Sequence, residues 1–247
     1  MIFGSVCAIC MSAGKIAPTT MEECNSLGFY HIKGPAAVHE KIAEYEAKLK
    51  SDSNDYYSEL AIGILYGFLA TPADKYEAGA ARKDVDYTDK FLLVEKDNPL
   101  ALIWNGLGHG LISRDETNVI VKLLELNTSF GICDKAVDLS AGKPYEWNIR
   151  FMRANMYVNL PAFFNKTDIA VKDYRFVEDE FNKNTGNRVI EGSMGTVYYY
   201  LGENEKSNTN MDKAVEYWKK SVLINDKYSA DSYEAKMAKK ELDTFSD

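Results

Sequence analysis

Glutamine is absent from this chain of 247 residues, and histidine occurs only three times. So few histidines remove most of the side chains that perform acid–base work near neutral pH. The one serine in glycine-rich surroundings, in Glu191-Gly192-Ser193-Met194-Gly195, misses the G-x-S-x-G nucleophile elbow by one residue and falls within a predicted helix instead of at a strand–helix turn. No phosphate-cradling loop is present, so catalysis is not expected. Basic charge is also short: 29 Lys and Arg stand against 37 Asp and Glu, a net charge of −8. A general phosphate-backbone surface needs clustered cations that release counterions, so nucleic acid is not an expected partner. Long apolar runs are missing as well. The uncharged stretch Ile2 to Ala13 is too short to span a bilayer, and no integral membrane segment is expected.

That N-terminal stretch admits three readings. An apolar run ending in Ser12-Ala13-Gly14 has the core and small-residue end of a secretory signal peptide, but only Met1 precedes it, so this reading needs a start further upstream. Residues 1–20 would then be a signal remnant and the protein periplasmic or secreted; otherwise it is cytoplasmic. Cys7, Cys10, Cys24 and His31 have ligand types that can close a zinc tetrahedron. Alternatively, 1–20 is a disordered terminus whose cysteines do nothing. No metal and no cofactor are expected from the rest of the chain. Cys133 stands alone in a helical stretch and reads as a small buried residue.

What the chain does have is periodicity. A small residue is followed three positions later by a large apolar one at Gly63/Tyr66, Gly108/Leu111, Ala154/Tyr157 and Gly195/Tyr198, with leucine three further on at Leu69, Leu160 and Leu201. Recurrence at this scale marks stacked helical hairpins. Apolar spacing and breakers predict a leading helix over 36–49, then helix pairs 55–70 with 74–96, 100–112 with 116–139, 145–160 with 167–181 and 189–201 with 211–224, and a last helix over 230–245. Ser113-Arg114-Asp115 and the polar stretch 202–210 read as turns. The small residues are expected where the two helices of each hairpin cross, because close approach needs a missing side chain.

These residues resemble the tetratricopeptide-repeat superfamily. Trp104, Leu107, Gly108 and Leu111 match in the second unit, Ala154, Tyr157, Leu160, Ala170 and Tyr174 in the third, and Gly195, Tyr198, Leu201, Gly202, Ala214, Trp218 and Ser221 in the fourth, over roughly residues 55–228. The intervals within units exceed the family's, so the array is irregular. The resemblance implies an all-α right-handed superhelix, an α-solenoid of about four hairpins over 36–247 with a C-terminal capping helix. It implies a non-catalytic adaptor that holds a protein or peptide in a concave groove; a small-ligand receptor associated with a transporter is the alternative, and a homo-oligomer is compatible with either. Carried over by position, the groove residues are Asn105, His109, Asn148, Phe151, Asn155, Thr196 and Tyr199. Arg150 and Arg153 stand where the family prefers apolar residues and are expected to pair with Asp173, Glu178 or Asp179, or to hold a ligand. His109 with Asp115 and Glu116 is the nearest acid–base cluster.

Overall fold

The computed structural model describes residues 34–71, 76–184, 188–227 and 232–245, and the described residues contain helices and no strand. The helices are α1 (Pro35–Ser51), α2 (Tyr56–Ala70), α3 (Ala80–Val94), α4 (Pro99–Asp115), α5 (Val119–Ser140), α6 (Glu146–Tyr157), α7 (Thr167–Lys183), α8 (Arg188–Ser207), α9 (Met211–Lys227) and α10 (Tyr233–Thr244), with a 3-10 turn at Ala162–Phe164. The N-terminal signal and zinc readings fall on residues 1–33, outside the described residues.

The starts of the helices are written in local chemistry. Side-chain oxygens satisfy orphan first-turn N–H groups: Asp55 accepts from Ser58 N at 3.0 Å, Asn98 from Leu100 N and Ala101 N at 3.1 Å each, Asn118 from Ile120 N at 3.0 Å, and Ser232 from Ala235 N at 3.0 Å. Pro99 follows Asn98 at the first helical position, where its missing N–H is no loss. Gly79 precedes α3 with φ 81°, a conformation that a side chain would strain.

Two predicted breaks are absent. Ser113-Arg114-Asp115 is the last turn of α4, and α8 continues to Ser207 through Gly202. Gly202 survives inside a helix for a packing reason: a Cβ there would stand 2.6 Å from Trp218 Nε1. The turn follows later, where Thr209 takes φ 63° and Asn210 N donates to Glu205 O at 2.8 Å.

Each helix packs on the next in sequence, and α2 with α4, α4 with α6 and α8 with α10 also touch across the hairpins. One apolar core runs from Val38 on α1 to Leu201 on α8, and a second, smaller one gathers Tyr199, Ala214, Trp218 and Ala238.

Small residues admit these approaches, at the predicted positions in the first and fourth hairpins but not in the second. Gly63 meets Thr88 and Gly195 meets Asn225, each on the return helix of its own hairpin. In the second hairpin that place belongs to Gly106, where a Cβ would stand 2.6 Å from Cys133 Sγ on α5. Gly108 faces backwards, toward Val85 and Asp84 on α3. Residues two apart on a helix point to nearly opposite sides, so the Gly106-Leu107-Gly108 stretch lets α4 sit close to both neighbours. At two crossings a hydroxyl uses the bare backbone: Ser129 Oγ donates to Gly106 O at 2.5 Å and Ser221 Oγ to Gly195 O at 2.7 Å.

Candidate functional site

The predicted groove residues divide into two groups. Asn105 is buried, and its Nδ2 donates to Thr88 Oγ1 at 3.0 Å and to Asp89 Oδ1 at 2.8 Å, tying α4 to α3. Asn148 is buried, and Tyr199 is buried within the C-terminal core. These three side chains are buried by packing between helices: Asn105 in the second turn of α4 against α3, Asn148 at the start of α6, and Tyr199 on α8 with Ala214, Trp218 and Ala238. His109, Phe151, Asn155 and Thr196 remain partly exposed. His109 Nδ1 lies 2.6 Å from Glu125 Oε2 on α5. Asn155 Oδ1 accepts from Tyr174 OH at 2.8 Å, Phe151 stands edge-on to the Tyr174 ring, and Tyr200 stacks on Tyr174 with centroids 5.6 Å apart. A small aromatic and amide cluster thus joins α6, α7 and α8, with Tyr174 buried at its centre and Phe151, Asn155 and Tyr200 partly exposed around it. Burial, and then the neighbouring Tyr200, holds the Tyr174 hydroxyl protonated well above its ordinary range.

The proposed acid–base triplet does not assemble. His109 pairs with Glu125; Asp115 Oδ1 accepts from Arg114 Nε at 2.7 Å; Glu116 Oε1 accepts from Thr117 N and Asn118 N at 2.8 and 2.9 Å. Those backbone donors lower the Glu116 pKa.

Arg150 and Arg153 anchor the densest polar network. Arg153 forks onto Asp173, Nε to Oδ2 at 2.7 Å and Nη2 to Oδ1 at 2.9 Å, and its Nη1 reaches Asp134 Oδ1 on α5 at 2.8 Å. Arg150 Nη1 donates to the same Asp173 Oδ1 at 2.8 Å and its Nε to Glu146 Oε1 at 2.7 Å. Tyr157 OH donates to Asp134 Oδ1 at 2.8 Å, while Lys166 Nζ stands 3.7 Å from Asp134 Oδ2. Three cations thus meet three carboxylates, a balance that leaves no charge over for a ligand. Of the predicted partners, Asp173 is the one used. Glu178 instead accepts from Arg175 on α7, which also holds Tyr217 and, at 2.6 Å, Glu205. Sequence reasoning missed Asp134 and Glu146. The signal available for Glu146 was its position four residues before Arg150 on one helix face; for Asp134, on a different hairpin, no local signal existed.

Two other buried groups are chemically quiet or costly. Burial pushes the Cys133 thiol up to about 12, so it stays protonated. Asp84 is fully buried with neither carboxyl oxygen hydrogen-bonded, wedged where Cβ atoms on Gly67 of α2 and Gly108 of α4 would each come within 3.0 Å of its Oδ2. A shallow cleft of about 110 Å³ is lined by Gly79, Ala81, Arg82, Ile112, Asp115 and Glu116, between the start of α3 and the end of α4. That is well below the ~300–1,000 Å³ of a small-molecule site, and none of the predicted groove residues borders it.

Comparison of the chain with protein-family models, with curated proteins and with solved structures returned no match.

Proposed function

We propose that the protein is a non-catalytic adaptor, an irregular tetratricopeptide-like solenoid that holds a protein or peptide segment and works outside the cytoplasm if its first residues are a signal remnant. The observation that carries this reading is that four of the groove positions, His109, Phe151, Asn155 and Thr196, keep partly exposed side chains, with Phe151 and Asn155 set against Tyr174, on which the partly exposed Tyr200 stacks. Partly exposed amide, imidazole and hydroxyl groups suit an extended backbone, which needs donors and acceptors together, and partly exposed rings such as Phe151 and Tyr200 offer it flat apolar contact. The neutral ion network around Asp173 supports an architectural use of the two arginines.

Peptides selected from a displayed random library against the wild-type chain provide the probe. The double variant His109→Ala with Thr196→Ala is expected to bind the selected peptides at least tenfold more weakly, about 1.4 kcal/mol, with unchanged far-ultraviolet helix signal. Equal affinity for both proteins would remove these positions from the binding surface and the reading with them.

A further inference from the structure

One helix face stands apart from the rest of the surface. At the start of α5, Val119 is 67% exposed, Ile120 72%, Leu123 42% and Leu124 61%. The other exposed large apolar side chains on the described surface are scattered, such as the adjacent Leu93 and Val94 on α3, Leu139 at the far end of α5, Phe163 in the 3-10 turn and Leu223 on α9. Single exposed apolar residues are ordinary; four on two successive turns of one helix are not. The flanks are equally unusual. Thr117 and Asn118 at one end and Asn127, Thr128 and Gly131 at the other are exposed and uncharged. In a chain whose residues are 27% charged, every exposed residue from 117 to 131 lacks a charge. The ionisable side chains of this stretch, Lys122 and Glu125, are half-buried at its margin, and Glu125 is engaged by His109.

We infer that this face of α5 is the contact through which two copies of the chain associate about a two-fold axis. An isologous interface must be complementary to itself. The α5 face meets that requirement in two ways. Its apolar quartet reads the same in both directions: helices crossing antiparallel near residues 121 and 122 set Val119 against Leu124 of the partner subunit and Ile120 against Leu123 of the partner subunit. Its uncharged flanks mean that two chains of net charge −8 meet without like charges in contact, whereas juxtaposed like charges oppose association. An apolar centre ringed by threonine and asparagine is also the ordinary anatomy of an interface, with a dry core and a polar rim. The contact uses side chains of α5 that the adaptor test leaves unchanged, and His109 reaches this face only through Glu125 at its margin, so the two experiments can fail separately. Its small apolar area places it among weak dimers, with a Kd on the order of 10 μM.

Sedimentation velocity of the full chain over a concentration series tests this. Wild type is expected to shift from monomer to dimer as concentration rises through the ~10 μM range, while Ile120→Asp with Leu124→Asp stays monomeric at every concentration with unchanged helicity and melting temperature. Ile120→Lys and Leu123→Glu are each expected to be monomeric alone and to form a mixed dimer when combined, because the antiparallel register sets position 120 against position 123. A wild-type chain that remains monomeric at about 100 μM, tenfold above that Kd, would overturn the proposal, as it would if the patch is covered by the chain's own first residues or reserved for a foreign partner. A dimer that persists in the double aspartate variant, or charge variants that fail to combine, would overturn it equally.

Discussion

Asp173→Ala is expected to lower the unfolding free energy by about 3–5 kcal/mol, the range for removing one partner of a buried ion pair. Asp173 is buried on α7 and receives three donated hydrogen bonds, two from Arg153 and one from Arg150. Without it, Arg153 is left buried on α6 with only Asp134 to compensate, and Arg150 keeps only Glu146. The loss is therefore the stranding of a guanidinium more than the absence of an attraction. It follows that Arg153→Met combined with Asp173→Leu, which removes both charges and fills the volume, should recover most of what the single variant loses. Urea unfolding of the two proteins measures both. A loss below about 1 kcal/mol for Asp173→Ala would place the network at the value of an exposed pair and contradict its structural role.

The second large effect concerns Asp84 and carries a sign. Burial, and after it the nearby Asp89 carboxylate, raises the Asp84 pKa well above the ordinary range. Neither carboxyl oxygen meets a cation: α2 contributes Gly67, α4 contributes Gly108, and the basic side chains of α4, His109 and Arg114, are engaged by Glu125 and Asp115. The folded protein thus keeps a proton on Asp84 at pH values where the unfolded chain, with a carboxyl pKa of about 3.9, has released it. The group's contribution is complete below that unfolded value and is lost as pH rises toward the folded one. Wild-type stability relative to Asp84→Asn should accordingly fall as pH is raised from about 4 toward 8, starting near the unfolded carboxyl pKa. Asp84→Ala should be more stable than wild type at the upper end by about 1–3 kcal/mol, the usual cost of an unsatisfied buried polar group, less whatever its cavity costs. Parallel pH–stability curves for wild type and Asp84→Asn would refute the burial assignment.

The contrast between what the sequence disclosed and what it hid follows the range of the forces involved. Helix starts at Asp55 and Asn98 depend on residues two or three positions away, and the all-helical class rests on a three- and four-residue apolar period, so both could be read locally; the start after Asn118, expected at 116, was missed by three residues. The pairing of Arg153 with Asp173 was legible because two arginines one turn apart at apolar positions require a buried carboxylate. Gly106 and Gly108 were not separable by spacing, since which side of α4 each faces depends on where α3 and α5 lie. The extension of α8 through Gly202 was hidden for the same reason: its Trp218 contact lies on the next helix. The burial of Asn105, Asn148 and Tyr199 was the costliest miss, because a side chain's polarity does not say how deeply its helix sits. Asn105 is placed by Thr88 and Asp89, an environment set by packing between hairpins.

A pair of glycine substitutions on facing helices probes the close crossings most directly. At Gly106 a methyl group would stand 2.6 Å from Cys133 Sγ and 3.2 Å from Cys133 N, whereas at Gly131 on α5 it would meet nothing within 4 Å. Gly106→Ala should therefore cost about 1–3 kcal/mol through overpacking, while Gly131→Ala should gain about 0.5–1 kcal/mol from reduced backbone freedom in the unfolded chain. Opposite signs in one urea-unfolding series are the predicted result. If alanine stabilises both positions, the helices do not touch where the missing side chain lets them, and the hairpin packing described for α4 and α5 is wrong.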